Sequence, residues 1–149
     1  MKIWIAIILF SLSLIKADAF TFDQASPIRQ GVHVEWYRTV APSLDGSAIF
    51  VWSDTRYGVR NVFAHKIDKN GNFTWGDNGA VITNLPGRQE DPVAIEDGNG
   101  GAFIAWVDYR FDDSGDIFIQ HVNESGAIQM DPNGVALAQQ QGTQISINM

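Results

Sequence analysis

The chain contains no cysteine among its 149 residues. A disulfide framework is therefore excluded, and so are a lipid-modified cysteine and a cysteine nucleophile. Because no covalent cross-link is available, the fold must be held together by the burial of apolar side chains alone.

Basic residues and catalytic signatures are also scarce. Ten lysines and arginines are outnumbered by 17 aspartates and glutamates, which gives a formal net charge of −7. This balance argues against nucleic acid or an anionic membrane surface as a partner. A Gly-x-Ser-x-Gly nucleophile motif is absent from the sequence. The sequence thus indicates no cofactor and carries no nucleophile motif, which favours a protein that is not an enzyme.

Long apolar runs are missing except at the N-terminus. Residues 3–15 are uncharged and mostly apolar, Lys2 precedes them, and residues 17–19 supply small side chains for a cleavage site. The run is shorter than the roughly 20 residues of a transmembrane helix. We predict a signal peptide at residues 1–19 and a secreted or cell-surface chain with no membrane insertion after cleavage. An uncleaved anchor is the alternative.

What the chain does have is an internal repeat. Residues 52–56 read Trp-Ser-Asp-Thr-Arg, and residues 106–110 read Trp-Val-Asp-Tyr-Arg. After a one-residue insertion the matches continue at a spacing of 55, as for Phe63 and Phe118. Self-similarity at such a period indicates a propeller, a solenoid or an array, in which one unit cannot bury its apolar face alone.

The pattern inside each unit predicts β-strands. Residues 47–52 and 101–106 are short apolar runs, which are typical of strands buried on both faces. Residues 61–67 alternate, with Phe63 on one face and Lys66 on the other. Glycine-containing turns separate these segments. The sequence therefore predicts an all-β fold of antiparallel, four-stranded propeller blades.

The repeat period also divides the chain. We expect a lead-in segment with a closing strand at residues 20–37, a first blade at 38–88, a second blade at 89–143 and the start of a truncated third repeat at 144–149. Two blades cannot close a ring, since propellers have about four to eight. We therefore expect either a fragment with partial neighbouring blades or a chain that assembles with copies of itself.

The repeated motifs carry a family resemblance. The spacing Trp-x-Asp-x-Arg, then Asn-x-Phe-Ala-His-Lys-Ile-Asp-x-Asn-Gly at residues 61–71, then Trp-Gly-x-Asn-Gly at 75–79, resembles a repeat of secreted and surface proteins of marine and gut bacteria. Such proteins are often long, β-propeller-like chains with a C-terminal secretion-sorting domain. The resemblance covers about residues 30–144 and implies a fold, but no activity. The second unit departs from it, with Met130 where the first has Trp75.

The same motif supplies the main candidate site residues. In each unit a tryptophan, an aspartate and an arginine recur on one side of the backbone near the end of the apolar strand. We interpret them as a structural signature, with the indole between blades and the Asp–Arg pair tying the strand end to a turn. The alternative is a ligand site repeated in each blade, as in propeller lectins whose aromatic rings stack on sugars. The six residues are Trp52, Asp54, Arg56, Trp106, Asp108 and Arg110.

Other polar residues give weaker indications. The acidic stretch at residues 112–116 forms either a solvated turn or a calcium site, and its spacing fits no EF-hand loop. We expect the histidines His33, His65 and His121 not to converge on a zinc ion. Carboxylates are numerous enough for a glycosidase pair, which needs two carboxyl groups about 5–10 Å apart. The sequence assigns no catalytic, metal or ligand-binding residue.

Two function classes follow from these observations. The leading hypothesis is a non-enzymatic, secreted or cell-surface scaffold that presents loops to a glycan or protein ligand. The alternative is a fragment of a propeller-type glycoside hydrolase or lyase, in which polar residues near Glu90 and Asp91, or near Asp112 and Asp113, face a channel. A two-blade lectin that oligomerises into a ring is a further possibility.

Overall fold

A computed structural model of the chain describes residues 35–138, and the side chains from residue 38 onward. All regular structure within this range is β-strand, so the predicted all-β class is confirmed. The first sheet has the strand order β1-β2-β3-β4 and the second has the order β5-β6-β7-β8, and both are antiparallel. The strands are β1 (Glu35–Pro42), β2 (Ala48–Asp54), β3 (Asn61–Ile67), β4 (Ala80–Val81), β5 (Gln89–Glu96), β6 (Ala102–Asp108), β7 (Asp116–Val122) and β8 (Val135–Ala138).

The two sheets share one register. Ala48 pairs with Ile67 in the first sheet, and Ala102 pairs with Val122 in the second. Ala48 and Ala102 are 54 residues apart in the sequence, and Ile67 and Val122 are 55 apart. These are the two spacings of the sequence repeat. The first strand of each sheet also carries a register shift, between Trp36 and Thr39 in β1 and between Glu90 and Val93 in β5. The sequence repeat therefore corresponds to a repeated blade-like sheet.

The first sheet begins earlier than the sequence pattern suggests. Glu35 pairs with Asp54 and Trp36 pairs with Ser53, so the last residues of the segment expected to close a preceding unit belong to the first strand of the first sheet. Alternation of side chains shows that a segment is a strand but does not show which neighbour it pairs with. The predicted signal peptide, residues 20–34 of the lead-in and the predicted third repeat at 144–149 lie outside the described residues.

The hydrophobic core lies between the two sheets. Strand β5 of the second sheet contacts β1, β2 and β3 of the first. The buried cluster takes residues from one face of β2 and β3 and from the opposite face of β6 and β7. Burying a large apolar side chain contributes roughly 1.5–3 kcal/mol, and many such side chains meet here. The core residues are Ala41, Ile49, Val51, Val62, Ala64, Trp75, Ile82, Ala102, Ile104, Trp106, Phe118 and Val122.

Polar contacts extend the seam between the sheets beyond this core. The Gln89 amide donates to the Arg60 carbonyl oxygen at 2.9 Å, where the chain passes from the first sheet into the second. The Trp75 indole N–H donates to the Glu124 carbonyl oxygen at 2.8 Å. Within residues 35–138 the two sheets remain separate, pack against each other and do not close into a ring. No helix in the same range is long and apolar enough to cross a membrane.

Candidate functional site

Each sheet presents two polar ends. The clamp end holds the loops that follow β2 and β6, at residues 55–60 and 109–115. The hairpin end holds the turns at residues 43–47 and 68–72 of the first sheet, and the equivalent turns at 97–101 and 123–127 of the second.

The predicted signature residues of the first sheet assemble at the clamp end. The Trp52 indole N–H donates to Asp54 Oδ2 at 2.9 Å, and the Arg56 amide donates to Asp54 Oδ1 at 2.9 Å. The Arg56 guanidinium also bonds Asp54 Oδ2 at 2.6 Å and donates to the Asn78 carbonyl oxygen at 3.1 Å. Its Cζ lies 3.7 Å from the centre of the Phe63 ring. This arrangement is a clamp that ties β2 to the following turn and to the neighbouring strand.

The second sheet repeats the clamp with almost the same distances. The Trp106 indole N–H donates to Asp108 Oδ2 at 2.8 Å, and the Arg110 amide donates to Asp108 Oδ1 at 2.9 Å. The Arg110 guanidinium bonds Asp108 at 2.5 Å and the Asn133 carbonyl oxygen at 2.8 Å. Its Cζ lies 3.8 Å from the Phe118 ring centre. The structure therefore brings together all six residues that the sequence singled out, three in each sheet.

The clamps offer little to a ligand. The side chains of Asp54 and Asp108 are completely buried, and the whole Trp106 residue is too. Burial alone would raise the pKa of Asp54, but hydrogen bonds from Arg56 and Trp52 outweigh it and lower that pKa. The Asp54 carboxylate thus stays charged and paired with Arg56, and Trp106 has no exposed face on which a sugar could stack. This geometry favours the structural interpretation over a lectin site in each blade.

The described histidines lie apart and have different surroundings. His65 is buried in the first sheet, where its ring contacts Phe73 at 4.7 Å between centres. His121 lies in the second sheet, with Nε2 2.7 Å from Asp97 Oδ2 and its ring stacked on Phe103. His33 lies outside the described residues. Within residues 35–138, no three His, Asp or Glu side chains cluster in a way that could hold a metal ion.

The acidic stretch at residues 112–116 forms a local turn. Asp112 Oδ1 accepts a hydrogen bond from the Ser114 amide at 2.7 Å. Asp113 is almost fully exposed, and its nearest cationic partner is Arg88 at 3.5 Å. These contacts describe a solvated turn with one weak ion pair.

Two neighbouring carboxyl groups, those of Glu90 and Asp91, lie at the register shift in β5. Glu90 is buried and forms an ion pair with Arg60, while Arg88 Nε lies 3.5 Å from the same carboxylate. Asp91 follows it in the left-handed region, with φ of 49°. Burial raises the pKa of Asp91, the negative charge of Glu90 raises it further, and Arg60 acts in the opposite direction. The Asp91 carboxyl group is therefore harder to ionise than an ordinary aspartate.

The hairpin end contains two clefts at equivalent places in the two sheets. The first has a volume of about 350 Å³ and lies where the turns of the first sheet meet the second sheet. It is lined by Asp45, Ser47, Lys66, Asp68, Lys69, Asn70, Thr74 and Glu124. The second has a volume of about 450 Å³ and is lined by Asp97, Asn99, His121, Asn123, Glu124 and Ser125. Glu124 contributes to both.

The same turn chemistry shapes both clefts. Asp68 Oδ1 accepts hydrogen bonds from the Asn70 and Asn72 amides, each at 2.8 Å. Asn123 Oδ1 accepts the equivalent pair from Ser125 and Ala127, at 3.1 and 2.9 Å. Such side-chain-capped turns hold the backbone in one conformation. Both clefts are therefore walled by rigid turns.

Sequence reasoning did not identify these clefts. The turns were recognised only as turns, and a cleft forms only when turns from different strands come together. One signal was present: Lys66 shares a strand face with Val62 and Ala64, and the structure buries both of those residues completely. A lysine on a buried face needs a polar environment at its end.

Comparison of the chain with protein-family models, curated proteins and solved structures finds no match. The function must therefore be argued from the geometry of these sites.

Proposed function

We propose that this chain is a repeat module of a secreted or cell-surface β-propeller-type protein, and that it binds a glycan or protein ligand without catalysing a reaction. The observation that carries the proposal is the pair of equivalent polar clefts at the hairpin end. Repeated units that place the same turns side by side give an array of similar binding surfaces.

The composition of the clefts favours a glycan as the ligand. Carboxylate, amide, hydroxyl and ammonium groups line them, and these are the partners that sugar hydroxyls require. Their volumes lie near the lower end of the roughly 300–1,000 Å³ of small-molecule sites, which suits one sugar residue. The net charge of −7 opposes polyanionic glycans. We therefore favour an uncharged glycan.

A glycoside hydrolase or lyase fragment is the second candidate, and the register shift in β5 supports it. Asp91 combines a raised pKa with a strained left-handed backbone, and it is next to the charged Glu90. A carboxyl group with a raised pKa can serve as the general acid of a glycosidase, and backbone strain is often found at functional sites.

One experiment separates the two candidates. The full chain is applied to a glycan array, and the glycans that it retains are incubated with it and assayed for new reducing ends or unsaturated products. The proposal expects retention of an uncharged glycan without turnover.

Turnover that is lost in Asp91→Asn, but kept in the exposed control Asp113→Asn, would overturn the non-enzymatic function and support the hydrolase or lyase. Failure to retain any glycan on the array would overturn the glycan-binding role.

A further inference from the structure

Lys66 places a buried ammonium group in the first cleft. Only 6% of its side chain is exposed, and it donates one hydrogen bond, from Nζ to the Gly100 carbonyl oxygen at 2.9 Å. An ammonium group has three N–H donors. It also forms an ion pair with Asp45, whose Oδ2 lies 3.7 Å from Nζ, too far for a hydrogen bond. Lys66 therefore has hydrogen-bonding capacity that its protein contacts do not use.

Acceptors face this donor across the cleft. Asp45 uses Oδ1 to accept bonds from the Ser47 amide and hydroxyl, at 2.8 and 2.5 Å, which fixes its side chain and leaves Oδ2 toward Lys66. Glu124 reaches the cleft from the second sheet and adds a carboxylate to its lining. A donor and two acceptors thus converge from both sheets.

We propose that the first cleft is the sugar-binding subsite, in which Lys66 donates to a hydroxyl group of an uncharged sugar and Asp45 and Glu124 accept from its hydroxyl groups. This inference rests on the proposed glycan-binding function. The gap of 3.7 Å between Lys66 Nζ and Asp45 Oδ2 lets one hydroxyl oxygen bond both atoms.

The charges that line the first cleft select against acidic sugars. Asp45, Asp68 and Glu124 contribute three carboxylates, while the lysines of the cleft contribute two ammonium groups. A uronate carboxylate would therefore be repelled by the walls. An uncharged sugar meets no such penalty.

The second cleft lacks this arrangement although it occupies the equivalent place. His121 stands where the first cleft has Lys66, and its Nε2 is engaged by Asp97 Oδ2 at 2.7 Å. Asn99 replaces Asp45, so the second cleft also lacks the acceptor carboxylate at that position. We therefore expect one strong sugar subsite in the two sheets and not two.

Titration of the ¹⁵N-labelled full chain with methyl α-mannoside, methyl β-galactoside and galacturonate tests this inference by NMR. At least one of the two uncharged glycosides should shift the amide signals of residues 45–47, 66 and 124. Galacturonate should bind more weakly. Asp45→Asn should raise the Kd about tenfold or more, because it removes a charged hydrogen-bond acceptor.

Asp45→Asn is the informative variant, because it copies Asn99 of the second sheet and keeps an oxygen that can accept from Ser47. The matched control is Asp77→Asn, an exposed change of the same type in the same sheet but outside the cleft, and it should leave the Kd unchanged. Lys66→Gln should abolish binding, with circular dichroism to verify that the variant is folded.

The outcomes separate this inference from the proposed function. Binding of a glycoside with a Kd that Asp45→Asn leaves unchanged, or with signal shifts confined to residues 97–101 and 121–125, would overturn the subsite and keep the glycan-binding role. If the chain binds neither the glycosides nor any glycan on the array, the proposed function fails as well.

Discussion

The two ends of the sheets differ in how faithfully they repeat. At the clamp end, the distances around Asp54 and Asp108 agree to within about 0.1 Å for three of the bonds they accept. At the hairpin end, the backbone turns repeat but the side chains diverge, since His121 of the second sheet occupies the position equivalent to Lys66 of the first. Repetition is thus strict where an aspartate, an arginine and an indole depend on one another, and relaxed where side chains line an open cleft.

The physical reason is the cost of burial. A buried carboxylate that loses its arginine or indole partner costs several kcal/mol, so the members of a clamp must be kept together. An exposed turn keeps its backbone conformation through one capping side-chain oxygen, such as Oδ1 of Asp68 or Asn123. The other residues of the turn can therefore differ between the sheets. The residues that repeat strictly therefore support the fold. The residues that differ between the two sheets lie on the surface where a ligand can be recognised.

The largest effect is expected from removing the indole of the second clamp. Trp106 lies in the core shared by the two sheets, whereas Trp52 packs with Phe63 on the other face of the first sheet. Trp106→Ala should lower the free energy of unfolding by about 3–5 kcal/mol, and Trp52→Ala should lower it by less. Urea denaturation measures both. Equal losses would show that the two clamps contribute alike.

A pair of glycines tests how closely the turn before β4 approaches β3. Gly76 and Gly79 both have φ of 73°, so alanine at either should cost about 1–2 kcal/mol in backbone strain. A Cβ at Gly79 would lie 2.4 Å from the Ala64 carbonyl oxygen, while one at Gly76 has open space. Gly79→Ala should therefore cost roughly 1–3 kcal/mol more. Thermal unfolding of both variants would show the difference, and equal melting temperatures would contradict the close approach.

The smallest effect concerns His65 and its counterpart Gln120. Gln120 donates to the Asp131 carbonyl oxygen and accepts from the His121 and Met130 amides, at 2.9 Å each. Neither ring nitrogen of His65 makes a hydrogen bond of good geometry to a described residue, although the backbone of Gly76 and of Lys66 lies near the ring. His65→Gln should therefore stabilise the chain by about 1 kcal/mol.

The gain from His65→Gln should depend on pH. Burial lowers the pKa of His65, although the backbone of Gly76 and Lys66 partly opposes this. The unfolded chain then binds the proton more readily, so stability is lost as the pH falls below about 6.5 toward the folded pKa. Unfolding free energies at about pH 5 and pH 8 should show a larger gain at the lower pH. A gain that does not change with pH would place the effect in packing instead.

Prediction from sequence succeeded where the information is local. The apolar runs of β2 and β6 and the alternation of β3 and β7 identified strands, because side-chain periodicity depends only on neighbouring residues. The start of β1 at Glu35 was missed, since pairing depends on a partner elsewhere in the chain. The clefts were missed for the same reason, as Glu124 reaches the first cleft across the seam between sheets.

The sequence by itself determined the strands, the turns, the absence of cross-links and the six residues of the clamps, because strand periodicity and turn chemistry are short-range and the repeat shows which residues act together. Only the tertiary structure decided that Lys66 ends in a polar cleft, that His121 pairs with Asp97 and that Asp91 adopts a strained backbone beside Glu90. These outcomes depend on which faces of the two sheets meet, and that is set by the packing of residues far apart in the chain.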